Sequence, residues 1–172
     1  DAEAFLNDAL RRARHLEAAA ARHSILGAAH STRSARPPEG SLSATRILVL
    51  FAHPAFERSR VHRRLAAAAR AQQGVTFHDL YEAYPDFDVD VRREQELLLA
   101  HDLIVLQHPL YWYSTPPLLK QRIVLVLGYG WAYGERALTL RGKRLLSVIS
   151  AGGAEASYGR SRIHHFTPPE VL

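Results

Sequence analysis

The sequence predicts an α/β domain built on a doubly wound parallel sheet, and three observations predict it. Apolar runs of strand length, Ile47–Phe51, Leu103–Gln107 and Leu145–Ile149, have the composition of strands buried on both faces. Segments with helical spacing of apolar residues separate them, joined by short loops. The strands also empty into loops carrying histidine, aromatic or paired glycine residues, where open α/β sheets place ligands.

Each element has its own local reason. In Asp1–His23 the residues Phe5, Leu6, Ala9, Leu10, Ala13, Leu16 and Ala20 recur at helical spacing opposite arginines. That predicts a short amphipathic helix, with nothing to bury against inside its own segment. Ser24–Ser43 is rich in Ser, Ala, Arg and Pro, the composition of a disordered linker. Residues 1–45 are therefore expected to be helix plus linker, and residues 46–172 the compact domain. Ile47–Phe51 is the first strand. Ser59–Gln72 is a helix with Val61, Leu65 and Ala68 on one face. Gly74 turns the chain into a second strand, Val75–Leu80. Asp90–Ala100 reads as a helix with Glu94, Gln95 and Glu96 outward and Val91, Leu98 and Leu99 inward. The third strand, Leu103–Gln107, leads to Pro116-Pro117, which open a helix to Leu127 with Ser114 or Thr115 as cap. Arg141-Gly142 turns into the fourth strand, Leu145–Ile149. The chain contains no methionine and stops where Pro168-Pro169 would begin another helix. A fragment is expected, with the sheet truncated after its fourth strand.

Composition excludes several classes. The 172 residues contain no cysteine, which rules out disulfide frameworks, thiolate metal sites and dithiol redox chemistry. Any redox role requires an organic cofactor. The net charge is +5, but the clusters Arg11–Arg14, Arg58–Arg64 and Arg92–Arg93 lack interleaved aromatics. A solvated basic surface is expected rather than a nucleic-acid site. No apolar run approaches the roughly 20 residues of a membrane span, and no signal peptide is visible, so a cytoplasmic setting is expected. His164-His165 is not read as a metal pair, because no carboxylate sits at ligand spacing.

The site is expected at three strand ends. The first strand runs into His53-Pro54 and then Ser59, whose hydroxyl and neighbouring amides open a helix as an anion site, with Arg58 and Arg60 adding charge. The third runs into Leu110, Tyr111, Trp112 and Tyr113, which either plug the core or face a planar ligand. The fourth runs into Ser150, Ala151, Gly152 and Gly153, where paired glycines let backbone approach a ligand closely. No G-x-G-x-x-G and no Walker motif occurs, which removes the usual warrant for a dinucleotide fold or nucleotide hydrolysis. An extended molecule with a phosphate at one end and a flat ring at the other, such as FMN, satisfies all three.

From Ile47 onward the chain resembles the flavodoxin-like NAD(P)H:quinone oxidoreductases, above all the ancillary flavoproteins of glutathione-gated potassium-efflux systems. The stretches that carry the resemblance are Ala52-His53-Pro54, Asp79–Tyr81 through Tyr84–Phe87, Gln107–Pro109 through Trp112–Ser114, Pro116–Lys120, Gly130–Gly134 and Leu140–Lys143. The resemblance implies FMN or FAD as cofactor, NAD(P)H as co-substrate and a quinone as acceptor. It implies that His53, Ser59, Arg60, Val61 and His62 surround the flavin phosphate. It implies that Leu110–Tyr113 line the ring and ribityl chain, and that Ser150–Gly153 close over the isoalloxazine. Tyr133 and His165 are the candidate polar contacts to substrate. A homodimer is implied, with sites near its interface, and peripheral association with a membrane potassium-efflux antiporter. An alternative function follows: a regulatory subunit of that antiporter, its flavin mainly structural. Three features depart from the family. Arg122 and Val124 stand where Trp and Asp are usual, and Ser150-Ala151 stands where Thr-Thr is usual. Asp1–Ser43 has no counterpart, and is expected to derive from a fused neighbour or from upstream translation.

Overall fold

The computed structural model describes residues 4, 7, 8, 10–12, 45–135, 137–159, 161, 162 and 164. Four strands, β1 (Ile47–Phe51), β2 (Val75–Asp79), β3 (Leu103–Pro109) and β4 (Arg144–Ser150), form one sheet in the order β2-β1-β3-β4. Every pairing is parallel, with Ile47 opposite Val75 and Leu103, and Leu103 opposite Arg144. Helices α1 (Arg60–Arg70), α2 (Leu80–Ala83), α3 (Val91–Ala100) and α4 (Pro117–Val126) connect the strands. The short β2 stops at Asp79 because that carboxylate accepts hydrogen bonds from the Tyr81 and Glu82 amides and caps the single turn α2. That turn is absent from the sequence reading, which carried the strand on to Leu80.

The period-two alternation of strand residues explains the continuous apolar runs. Leu48, Leu50 and Ile104 point to one face, against Leu80, Leu98, Leu118, Leu119 and Val126. Ile47, Val49, Leu103, Val105 and Val148 point to the other, against Leu65, Ala68 and Ala69 of α1. Both faces are buried, so both sets must be apolar. Leu10, in the helical N-terminal segment, is buried in this second cluster. Leu10 thus has an apolar seat against the sheet; the remainder of the expected helix and the linker, residues 13–44, lie outside the described residues.

Three sequence expectations about helix faces are corrected. On α1 the inward residues are His62, Leu65, Ala66, Ala68 and Ala69, while Val61 is exposed. On α3 Leu99 is exposed and Glu94, expected outward, is fully buried. No hydroxyl caps α4: Pro116 holds the N-cap position, and Thr115 Oγ1 is buried without a partner. The Glu94 inversion has a clear cause. Its Oε1 accepts from Tyr84 Oη at 2.8 Å and lies 2.6 Å from His78 Nε2, and its Oε2 accepts from Arg122 Nε at 2.6 Å. Arg122, the departure from the family pattern, is the counter-ion of a buried carboxylate. Burial pushes the Glu94 carboxyl up, but the His78 hydrogen bond and the Arg122 charge outweigh it and hold it down to about 2.

Candidate functional site

The carboxyl ends of β1, β3 and β4 deliver three loops to one edge of the sheet. At the first, Ser59 caps α1: its Oγ accepts from the His62 amide at 3.1 Å. Helix geometry leaves the Arg60 and Val61 amides at the open end, where an anion would be held by N–H groups and the helix dipole. His53 Nδ1 accepts from the Ala55 amide at 3.1 Å, which puts the ring proton of the neutral form on Nε2, free to donate. Burial lowers the His53 pKa, and burial helped by His53 and His108 lowers that of His62 to about 4. Both imidazoles are thus neutral at pH 7. The positive charge expected here therefore comes from the exposed Arg58 and Arg60 side chains alone.

His62 serves a second purpose. Its Nε2 lies 2.8 Å from Ser150 Oγ, and its ring stands edge-on to His53 with centroids 5.1 Å apart. Through this bond the start of α1 is fastened to the end of β4, so the anion site and the glycine loop are held in fixed relation. The retained hydroxyl of Ser150 makes that link. Ala151, where the family's second hydroxyl would stand, is exposed.

The aromatic loop is built by backbone strain. Tyr111 and Ser114 exchange backbone hydrogen bonds, each 2.9 Å, and close a two-residue turn whose central residues, Trp112 and Tyr113, have φ of +46° and +61°. Two successive positive φ values favour Asn-Gly; for Trp and Tyr they cost on the order of 1–2 kcal/mol each. The result is that Trp112 stands 95% exposed at the tip. An aromatic core plug is thereby excluded for Trp112. The loop is anchored to β4 by the Leu110 amide, which donates to the Ser150 carbonyl at 2.7 Å. That bond and the Tyr111–Ser114 pair occupy amides that the sequence offered to a ligand. The Trp112 amide has no partner among the described residues.

Leu110, Tyr111, Trp112 and Tyr113 line an open hollow of about 440 Å³ together with Tyr158 and His164, two residues the sequence reading did not assign. Tyr158 stacks on His164 at 4.6 Å between centroids, and Tyr113 Oη lies 3.2 Å from His164 Nδ1. Gly152 leaves its side of the loop open, since a Cβ there would meet nothing within 4 Å; at Gly153 a Cβ would press on Tyr158 Oη at 3.1 Å. A flat ligand slid along Gly152 would have room. Tyr133 stands elsewhere, on the loop after α4, where it packs edge-on against Tyr129. Both tyrosines are exposed, and Gly134 is required there because its φ is +108° and a Cβ would lie 2.8 Å from the Tyr129 ring. Tyr133 is not among the residues that line the hollow. His165 lies outside the described residues.

The chemistry of the donor set fits a flavin mononucleotide. A helix N-terminus with flanking arginines suits a phosphate, and an exposed aromatic wall suits a flat ring. Both amide atoms of Gln107 and His62 Nδ1 are, among the described residues, buried without partners near these strand ends, whereas His108 Nε2 and Thr115 Oγ1 are unpaired beside a separate cavity that Arg122 also lines. Among the described residues no group of acidic, histidine or cysteine side chains could hold a metal ion, and no helix is long and apolar enough to cross a membrane.

Comparison with known proteins agrees with this geometry. The family model for the flavodoxin-like fold matches residues 45–172. Among solved structures, a thermophilic tryptophan halogenase from Streptomycin violaceusniger is 47% identical, with 73% of each chain covered and a TM-score of 0.70. The general stress protein 14 of Treponema denticola, in complex with FMN, is 39% identical over 74% of each chain, with a TM-score of 0.71. An NADPH-quinone reductase from P. pentosaceus is 36% identical over 73% of this chain and 71% of its own, with a TM-score of 0.66.

Proposed function

This chain belongs to the flavodoxin-like fold family, and on that premise we propose that it is a flavin-dependent NAD(P)H:quinone oxidoreductase that uses FMN. The observation that carries the reading is the pairing of the Ser59-capped helix end with the exposed Trp112 turn, tied together through the His62–Ser150 bond. Relatives that are an FMN complex and an NADPH-quinone reductase support the cofactor and the reaction class.

When bound, the flavin supplies the redox chemistry, taking a hydride from NAD(P)H and delivering it to a quinone, which gains a further proton to become the hydroquinone. The chain's residues position and shield. Ser59 Oγ and the Arg60 and Val61 amides hold the phosphate, with His53 Nε2–H as a neutral donor beside them. Trp112, Tyr111 and Tyr113 form the wall against which flat rings stack, and Leu110 excludes water at its base. Gly152 and Gly153 bring backbone amides close enough to favour negative charge on the ring edge. Tyr133 would contact substrate across a homodimer interface, where the exposed Tyr129–Tyr133 pair of a second copy could complete the open side of the hollow.

The test is turnover. Purified protein supplied with FMN should oxidise NADH or NADPH in the presence of a soluble quinone, and Trp112→Ala should lose activity in proportion to lost flavin. FMN-loaded protein that leaves both nicotinamides unoxidised would refute the reductase reading. Sedimentation measures the dimer; Tyr129→Ala/Tyr133→Ala should weaken association and raise the KM for quinone while flavin content stays unchanged.

A further inference from the structure

Helix α1 carries most of its arginines at the end that its own dipole disfavours. Aligned peptide dipoles make a helix start positive, so acidic side chains suit the first turn and basic ones the last. The first turn of α1 holds no acid. Arg60 opens the helix instead, and Arg63 and Arg64 follow within about 6 Å along its axis at 1.5 Å per residue. Arg58 stands just before the Ser59 cap, and all four side chains are exposed. The sequence reading assigned Arg58 and Arg60 to the anion site; the helix adds Arg63 and Arg64.

Arg70 shows the ordinary arrangement. It lies in the last turn, its Nη2 is 3.9 Å from Glu82 Oε2, and its guanidinium covers the Phe77 ring at 4.3 Å. The arginines at the start have no such compensation: none of them makes an ion pair with a described residue. Arg63 Nε donates to the Ser59 carbonyl at 3.1 Å, which folds that charge back beside the cap. The carboxylates that act on neighbouring His53 are Glu57 and Asp79, and Asp79 is already engaged by the Tyr81 and Glu82 amides. Like charges crowded at a positive helix end disfavour the empty protein, and an arriving anion relieves them.

We propose that Arg58, Arg60, Arg63 and Arg64 form an electrostatic collar that captures the phosphate-bearing flavin, so that FMN is selected over riboflavin in the association rate. The proposal rests on the flavin reading of this edge of the sheet and divides the work within it. Exposed charges act over a Debye length, about 10 Å at 0.1 M salt, and raise the on-rate of an oppositely charged ligand by about 10- to 1,000-fold. The Ser59 hydroxyl and the free amides act at contact, on the dissociation rate. FMN gains from both, and uncharged riboflavin from neither. Cofactor loading is then governed by ionic strength.

Stopped-flow mixing of the full chain with each flavin tests this. Between about 0.01 M and 1 M salt, where the Debye length shrinks from about 30 to 3 Å, FMN association should slow about tenfold or more and riboflavin association should hold. Arg63→Glu with Arg64→Glu should slow FMN about tenfold or more at low salt and leave riboflavin unchanged. The same change should raise the unfolding midpoint, because acids suit a helix start. Arg63→Lys with Arg64→Lys keeps the charge and should keep the rate. Arg70→Gln, about 15 Å along the axis from Arg60, should also keep it, whereas Ser59→Ala should speed dissociation. FMN association indifferent to salt, equal slowing of riboflavin, a lowered midpoint on charge reversal, or a loss confined to dissociation would each overturn the collar and leave the flavin site standing. Folded protein that binds neither flavin would remove the flavin reading and the collar with it.

Discussion

Two groups of buried polar side chains lie within this domain, and they are finished in opposite ways. Around Glu94 the protein supplies its own partners: His78 and Tyr84 on one carboxylate oxygen, Arg122 on the other, with only Arg122 Nη2 left over. Toward the carboxyl ends of the strands it does not. Among the described residues, Gln107 has neither amide atom paired, and His62 Nδ1 lacks a partner as well. Leaving such an atom buried costs about 1–3 kcal/mol, and the same edge also stores strain at Trp112 and Tyr113. The closed group joins β2, α3 and α4 and serves stability. The open group lies near the Ser59 helix start, where the proposed flavin phosphate would sit.

The largest effect that should separate the two regions is at Arg122. Arg122→Met leaves the Glu94 carboxylate buried and uncompensated, an arrangement that costs about 3–5 kcal/mol. Urea unfolding should register that loss, while FMN affinity of the remaining folded protein stays close to its original value. Replacing the pair together, Glu94→Leu with Arg122→Leu, should recover most of the stability. An Arg122 variant that loses flavin without losing stability would dissolve the distinction between the regions.

At the mouth, the next effect is smaller and opposite in character. Trp112→Ala removes a stacking surface of about 1–3 kcal/mol and relieves a bulky residue from a left-handed turn. Flavin binding should weaken about 5- to 100-fold while the unfolding midpoint holds or rises.

The two regions also differ in their response to acid. The folded pKa of Glu94 is held near 2, below its ordinary 4.5. Its contribution is complete above 4.5 and is lost as pH falls through that window. His62 is lowered from 6.5 to about 4. Its neutral form is likewise favoured in the folded state, and its contribution fades as pH falls from 6.5 toward 4. Unfolding free energy against pH should therefore decline in two stages, with a slope of up to about 1.4 kcal/mol per pH unit for each group. His62→Gln should shrink the upper stage, to which His53 and the buried His108 also contribute, and leave the lower.

Much of this was legible in the sequence, and the failures share a cause. The positions of β1, β3 and β4 follow from apolar runs and that of β2 from the turn at Gly74, and Ser59 as the cap of α1 follows from hydroxyl chemistry at a helix start. What failed was the assumption that charge points outward. Glu94 reads as solvent-facing until Arg122, 28 residues later, is brought beside it, and a single sequence carries no sign of that pairing. Val61 and Leu99 failed in reverse: each is apolar at a position that the helix turns to solvent. Tyr158 and His164 were missed because they reach the hollow through a loop with no periodic signal; their stacked rings become visible only in three dimensions.

The finest distinction lies within the mouth itself. Ser59→Ala should cost the helix about 1 kcal/mol of capping energy and weaken FMN more than riboflavin, because only FMN offers a phosphate to the helix end. Equal losses for both ligands would place the phosphate elsewhere.

The central claim is that the open region is a flavin site, and a titration tests it most directly. FMN added to the purified protein, followed by quenching of flavin fluorescence, should saturate at one equivalent per chain, with riboflavin markedly weaker. Addition of NADH or NADPH should then bleach the bound flavin's visible absorbance. Protein that remains folded yet neither quenches nor retains FMN would contradict the account at its root.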